Sequence, residues 1–306
     1  MTLRRHDVEC IARDYIRMVA SGDASPGISS TNGRYFHEVN YRLRLWGHVF
    51  TPLLRLASDD PVPLYRNPEP TALLTQQWLV AESVLKRLTQ ALKAETQDQT
   101  AAELGCFEDV SQTPGIFLAD AHAALRVALA LGRKPPMRFL DVGCGGGMAV
   151  LLATAIFAVA EGLDYDMGYV MAGQRLLGMT GHNESRIFHA NGLLFDRYAE
   201  YDVIYFFQPM RDPEGLVALE KRIVDGAQSG TVLIAPYTGF ANRAEGLGCG
   251  HVAGSVFVKG TALQDADALA DAAQYFGTRL ALTPADDDPR AGYLLPIQRA
   301  SRARGL

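Results

Sequence analysis

From Met137 onward, short apolar runs alternate with longer stretches whose apolar residues recur with helical spacing. Met137–Val142, a run ending at Asp164, Arg186–Ala190, Tyr201–Phe207 and Thr231–Tyr237 each have the length and continuous apolar character of a strand buried on both faces. Between them, the stretch from Met148, Tyr169–Met179 and Glu214–Gln228 read as helices; Asp212 stands as an N-cap and Pro213 at the first helical position. Strands separated by helices predict an α/β fold with a doubly wound, mostly parallel sheet. Further on, residues 251–260 predict a strand, 263–277 a helix and 292–299 a last strand, with a frayed SRARGL tail.

The first third of the chain has a different pattern. Apolar residues fall on one helical face over residues 7–20, 35–54 and 71–94, and Pro52 kinks or ends the second of these. Residues 58–70 hold four prolines and predict a stiff extended loop. A further Ala- and Leu-rich helix over 117–132, closed by Gly132 and Pro135, leads into the first strand. The expected division is a helical N-terminal extension or cap over 1–116 and a sheet domain over 117–306. The extension either shields the sheet or shapes a substrate pocket. Arg42, Arg44, Arg55 and Arg66 within it make either an anion-attracting cluster or a solvated helix face.

Composition narrows the partners. With 48% hydrophobic and 21% charged residues the chain is globular, and a formal charge of −5 argues against a surface that coats nucleic acid. The N-terminal MTLRRHDVECIARDYI carries charges where a signal peptide needs an apolar run, and Met148–Ala160 is too short to span a bilayer. The expected location is cytoplasmic, without membrane contact. Cys10, Cys106, Cys144 and Cys249 have no zinc-like spacing, so no metal site is expected.

The stretch that carries chemistry is MRFLDVGCGGG, residues 137–147. Asp141 sits near the end of the first strand, and Gly143, Gly145 and Gly147 follow at every second residue. Glycines there permit a sharp turn and a close approach of backbone N–H groups to a ligand, with the amino end of the next helix behind them. The second strand ends at Asp164, so both carboxylates are expected over one crevice. A dinucleotide fingerprint fails in both registers, because Met148 or Val150 stands where the third glycine or alanine belongs. An acidic residue two before the first glycine suits a cationic ligand with amine and ribose hydroxyl donors better than a pyrophosphate.

That pattern, D-x-G-x-G-x-G followed by an acidic strand end, resembles motif I and the next acidic position of class I S-adenosylmethionine (SAM) methyltransferases, over roughly Met137 to Tyr237. The resemblance implies SAM as cofactor, bound by Asp141, Gly143, Cys144, Gly145, Gly147, Asp164, Tyr165, Asn191 and Gly192. Asp141 would lie near the methionine amino end, often through water, and Asp164 would accept the ribose hydroxyls. Glu161 and Asp166 flank Asp164 and compete for that role. Tyr165 or Met167 would pack on the adenine. Asn191 stands where the family has an Asp that receives the adenine amino group, or it is a simple turn residue before Gly192. Gln208-Pro209 occupies the place of the family's N/D-P-P-Y/F motif, without its second proline and terminal aromatic. That departure counts against nucleic-acid bases as acceptor and leaves Gln208 and Pro209 as candidate catalytic residues toward a small molecule or protein side chain. Arg211 beside them could pair with a substrate carboxylate. His37, His48, His182, His189 and His251 are candidate bases, and Tyr237 is a further group near the expected mouth. The alternatives are a non-catalytic methyltransferase-fold scaffold or interaction protein, and a sister transferase that uses decarboxylated SAM.

Overall fold

The computed structural model describes residues 61, 63–65, 97–103, 105–107, 112, 114–180 and 185–276. The expected helices over 7–20, 35–54 and 71–94 lie outside the described residues, as do most of loop 58–70, the four arginines, His37, His48, His182, the strand over 292–299 and the tail. The described elements are α1 (Gln99–Glu103), α2 (Pro114–Ala130), β1 (Arg138–Val142), α3 (Met148–Ala153), β2 (Val159–Asp164), α4 (Met167–Thr180), β3 (Arg186–His189), β4 (Val203–Phe206), α5 (Pro213–Gly226), β5 (Val232–Ile234), α6 (Thr238–Arg243), β6 (Cys249–Ala253), β7 (Val256–Lys259) and α7 (Leu263–Ala273).

The strands form one sheet in the order β3-β2-β1-β4-β5-β7-β6. β1 to β5 run parallel, and β7 is inserted antiparallel between β5 and β6. This is the expected doubly wound, mostly parallel sheet. Alternate residues of each strand point to opposite faces, which sorts the core into two layers. Phe139, Val203, Tyr205, Val232, Ile234, Val256 and Val258 pack under α2, α3, α4 and α7. Leu140, Val142, Ile204, Phe206, Leu233 and Phe257 pack under α5 and α6. Small residues let α2 lie close to the first face: Ala121, Ala123, Ala124 and Ala128 are fully buried there. Phe117 from the same helix meets the rings of Tyr205 and Phe139 edge-on, at 5.1 and 6.0 Å, a favoured aromatic geometry.

One sequence expectation is corrected here. Residues 251–260 are not a single strand but a hairpin, β6 and β7, turning at Gly254 with φ +53°. A one-strand reading missed that the small pair Gly254-Ser255 is itself the turn. Helix α6 was also unanticipated. β5 ends at Ile234, three residues short of the expected strand end at Tyr237, and Thr238–Arg243 coils directly after that point. By contrast, α5 begins as its sequence indicates, with Pro213 at its first position and Asp212 accepting hydrogen bonds from the Glu214 and Gly215 N–H groups.

Candidate functional site

β1 and β4 are neighbours whose onward connections leave to opposite sides of the sheet, the topological switch where open α/β sheets place their ligands. A cavity of about 560 Å³ opens there. Gly143 and Gly145 form one side with Asp164 and Tyr165; Asn191 and Gly192 line the adjoining floor; Gln208 and Pro209 stand opposite. The crevice thus brings together eight of the eleven residues singled out from the sequence. Gly147, Asp141 and Cys144 are the others.

The glycine turn is held from inside. The Gly143 and Cys144 N–H groups both donate to the Leu163 carbonyl, at 2.9 and 3.0 Å, and the Gly147 N–H donates to the Cys144 carbonyl. The Gly145 N–H donates to Asp164 Oδ2 at 2.7 Å. The expectation of bare turn N–H groups facing a ligand is therefore corrected: these four satisfy acceptors of the turn itself and of β2. Three glycines have positive φ, +78° at Gly143, +51° at Gly145 and +78° at Gly147, conformations that a side chain disfavours. At Gly143 a Cβ would also come within 2.4 Å of Pro209 Cβ. The turn after β1 and the turn after β4 touch at that point, so the two walls of the crevice share one contact. Gly147 lies behind the turn, where its α-carbon faces Ile187 and Gly173.

Beneath the turn, Cys144 is buried against Gly162 of β2, where a Cβ would stand 2.8 Å from Cys144 Sγ and 2.7 Å from Val150 Cγ2. Cys144 and Asp141 line a second, smaller chamber of about 40 Å³ together with Gln112 and Tyr205; Gly143 and Phe207 border both spaces. That volume suffices for about one ordered water. The Tyr205 hydroxyl donates to Gln112 Oε1 at 3.3 Å. Burial, then the charges of Asp141 and Asp120, hold its pKa well above the usual value, so it stays a neutral donor.

The geometry separates the three acidic residues of β2 and its exit. Glu161 lies mid-strand, receives Arg138 Nη2 at 2.7 Å and the Tyr201 hydroxyl at 2.8 Å, and so belongs to an ion-pair network at the edge of the core. Asp166 caps α4 by accepting the Tyr169 N–H with one oxygen, while the other accepts the Asp98 N–H at 2.7 Å. Only Asp164 lines the cavity, and its second oxygen accepts the Asp166 N–H at 2.8 Å. Of the two adenine-face candidates, Tyr165 lines the cavity and Met167 does not. Asn191 Oδ1 accepts the Leu193 N–H at 2.9 Å, which makes Asn191 a turn residue as well as part of the floor.

On the far wall, Gln208 is a non-glycine residue at φ +44°. Such backbone conformations persist where the surroundings enforce them, often at functional sites. Its side chain is exposed at the cavity. Beyond it, the segment that precedes α2 reaches over the crevice. Cys106 pairs with Met210 as an antiparallel bridge, the Arg211 N–H donates to the Gly105 carbonyl at 3.0 Å, and Cys106 and Phe107 line the cavity. Burial, then the charges of Asp164 and Asp166, raises the Cys106 pKa, so the thiol is not activated as a nucleophile. Two of the candidate bases lie elsewhere: His189 hydrogen-bonds the Tyr165 carbonyl and His251 that of Gly254. Tyr237 donates to the buried Glu220, which Arg243 also grips, pinning α6 to α5. Among the described residues no cluster of His, Cys, Asp or Glu could hold a metal, and no helix is long and apolar enough to cross a membrane.

The strand order with its reversed seventh strand, joined to a glycine turn locked onto a carboxylate at the end of β2, defines a class I methyltransferase-like fold. No family model matches the sequence, and no curated protein does. Among solved structures, the chain is similar to CalS10, an amino pentose methyltransferase from Micromonospora echinaspora with SAM bound. The identity is 22% over 38% of this chain and 48% of that one, with a TM-score of 0.32. It is also similar to the sugar N-methyltransferase KedS8 from Streptoalloteichus sp ATCC 53650, at 22% identity over 39% and 48%, TM-score 0.32. A third is the magnesium protoporphyrin IX methyltransferase ChlM from Synechocystis PCC 6803 with bound SAM, at 13% identity over 50% and 86%, TM-score 0.37. The chain spans about half the length of the first two.

Proposed function

We propose that this chain is a SAM-dependent methyltransferase that transfers a methyl group by in-line displacement to a small-molecule or protein acceptor. The observation that carries the reading is Asp164: a carboxylate on the cavity wall at the end of β2, held in place by the Gly145 and Asp166 N–H groups, and in this reading the acceptor of the two ribose hydroxyls. The crevice has the volume usual for pockets that enclose a ligand of this size. In this reading Tyr165 packs on the adenine, with Asn191 and Gly192 at its edge. The small chamber receives the methionine amino end, where Asp141 and Gln112 offer oxygen acceptors, directly or through one water.

SAM supplies an activated methyl group on a sulfonium. The residues of the chain bind, align and exclude water. Good alignment of nucleophile and methyl carbon can account for roughly 7–11 kcal/mol of barrier lowering. Gln208, held in its unusual backbone conformation across the crevice from the turn, is the group that orients the nucleophile through its amide, and Pro209 fixes it against Gly143. Isothermal titration with SAM and with S-adenosylhomocysteine (SAH) tests the reading, followed by a methyl-release assay over a panel of acceptors. Binding of neither ligand overturns it. Binding without turnover on any acceptor favours the scaffold, and selective binding of decarboxylated SAM favours the sister transferase.

A further inference from the structure

We infer that the methyl acceptor is a flat, unsaturated ring compound and that Phe107 is the side chain that selects it; the inference rests on the reading of the crevice as a methyl-transfer site. The Phe107 ring lines the cavity, yet it is 38% exposed and contributes to neither core layer. It is nevertheless held firmly. Gln97 Nε2 donates to the Phe107 carbonyl at 3.0 Å and to that of Cys106 at 3.2 Å, and the Cys106–Met210 bridge fastens the adjoining backbone to the β4 exit. The Arg211 guanidinium lies over the ring, 5.2 Å from its centre, a cation–π distance. An exposed ring braced in this way is a preorganised platform, which loses little conformational entropy on receiving a ligand.

The rest of that wall suits the same kind of guest. Phe207, Pro209 and Met210 line the same cavity, and Gln208 provides the amide among them. A planar apolar molecule gains from aromatic faces and a thioether, while its single hydroxyl or amine meets the Gln208 amide. A saturated ring of equal size offers Phe107 only C–H contacts and forfeits the ring–ring contribution.

Two probes of the same carbon skeleton separate these cases: 2-naphthol and trans-2-decalol, each titrated into the full chain saturated with SAH. The expected result is binding of 2-naphthol up to about tenfold tighter than trans-2-decalol. Phe107→Ala and Phe107→Leu should each weaken 2-naphthol about tenfold while SAH affinity stays within twofold, which also reports an intact fold. The leucine variant keeps apolar bulk and removes only the ring. Equal affinities for the two probes overturn the inference, as does wild-type 2-naphthol affinity in the leucine variant. If SAH itself fails to bind the wild-type chain, the methyltransferase reading falls, and this one with it. If SAH binds and 2-naphthol does not, only the acceptor inference falls.

Discussion

Replacing Asp164 by alanine should have two separable consequences. The first is structural. The carboxylate accepts the Gly145 N–H at 2.7 Å and the Asp166 N–H at 2.8 Å, and a hydrogen bond to a charged group is worth about 1.5–3 kcal/mol. Water entering from the crevice can rehydrate part of what truncation exposes, so the net loss should be about 3 kcal/mol. For a domain of roughly 150–250 residues each kcal/mol lowers the melting temperature by about 2–4 °C, which gives a drop of about 6–12 °C. The second consequence is functional. Loss of the bonds to the ribose hydroxyls should cost about 1.5–3 kcal/mol, or one to two decades in SAM affinity. Differential scanning calorimetry without ligand reads the first, and titration with SAM well below the transition reads the second. A variant that melts with the wild type would mean that the glycine turn does not depend on this carboxylate. A folded variant with undiminished SAM affinity would remove Asp164 from the ribose.

Gly145→Val should abolish SAM binding, since φ +51° is a conformation that a β-branched residue strongly resists; normal affinity by titration would make the turn merely structural. Gln208→Ala should leave SAM affinity within a few-fold and lower turnover roughly tenfold or more. Gln208→Gly should lose the same turnover yet melt no lower than the alanine variant, because glycine tolerates φ +44°; wild-type turnover in either would place the acceptor contact elsewhere. Burial raises the pKa of Asp120 to about 6 from 3.8, against the opposing hydrogen bonds from Tyr65, Gln112 and Ser255. The folded state therefore holds this proton more tightly, so the contribution of Asp120 to stability is largest below about pH 4 and is lost as pH rises through 6. Asp120→Asn should remove that dependence, worth of order 2–3 kcal/mol, and parallel pH–melting profiles of the two proteins would refute the assignment.

Most of the crevice is readable in the chain itself because its parts are local. Glycine spacing, apolar runs and strand-end carboxylates are short-range signals, and they placed β1 to β4 and their turns. What escaped depends on contacts between distant segments. Asp164 is legible as the carboxylate after Gly162-Leu163 at the strand end, but the roles of Glu161 and Asp166 are not; Arg138 and Tyr201 claim the first, Asp98 and Tyr169 the second. Phe107 sits in a polar stretch without periodicity, and only its pairing through Cys106 with Met210 brings it to the crevice. The β6–β7 hairpin was hidden because Gly254 and Ser255 interrupt an otherwise strand-like run by only two residues.

The burial of Cys144 against Gly162 has a consequence for how this chain can drift over time. A methyl group at 162 would meet Val150 Cγ2 at 2.7 Å and both Sγ and Cβ of Cys144 at 2.8 and 2.9 Å, so alanine there is admissible only once position 144 has shrunk to glycine and position 150 has lost bulk. Three sites on successive elements of one strand–helix–strand unit form one inherited unit. Among descendants of this protein, changes at 162 should appear after changes at 144 and 150 and almost never before them, so the order of substitutions along a lineage is itself constrained by a gap of less than 3 Å.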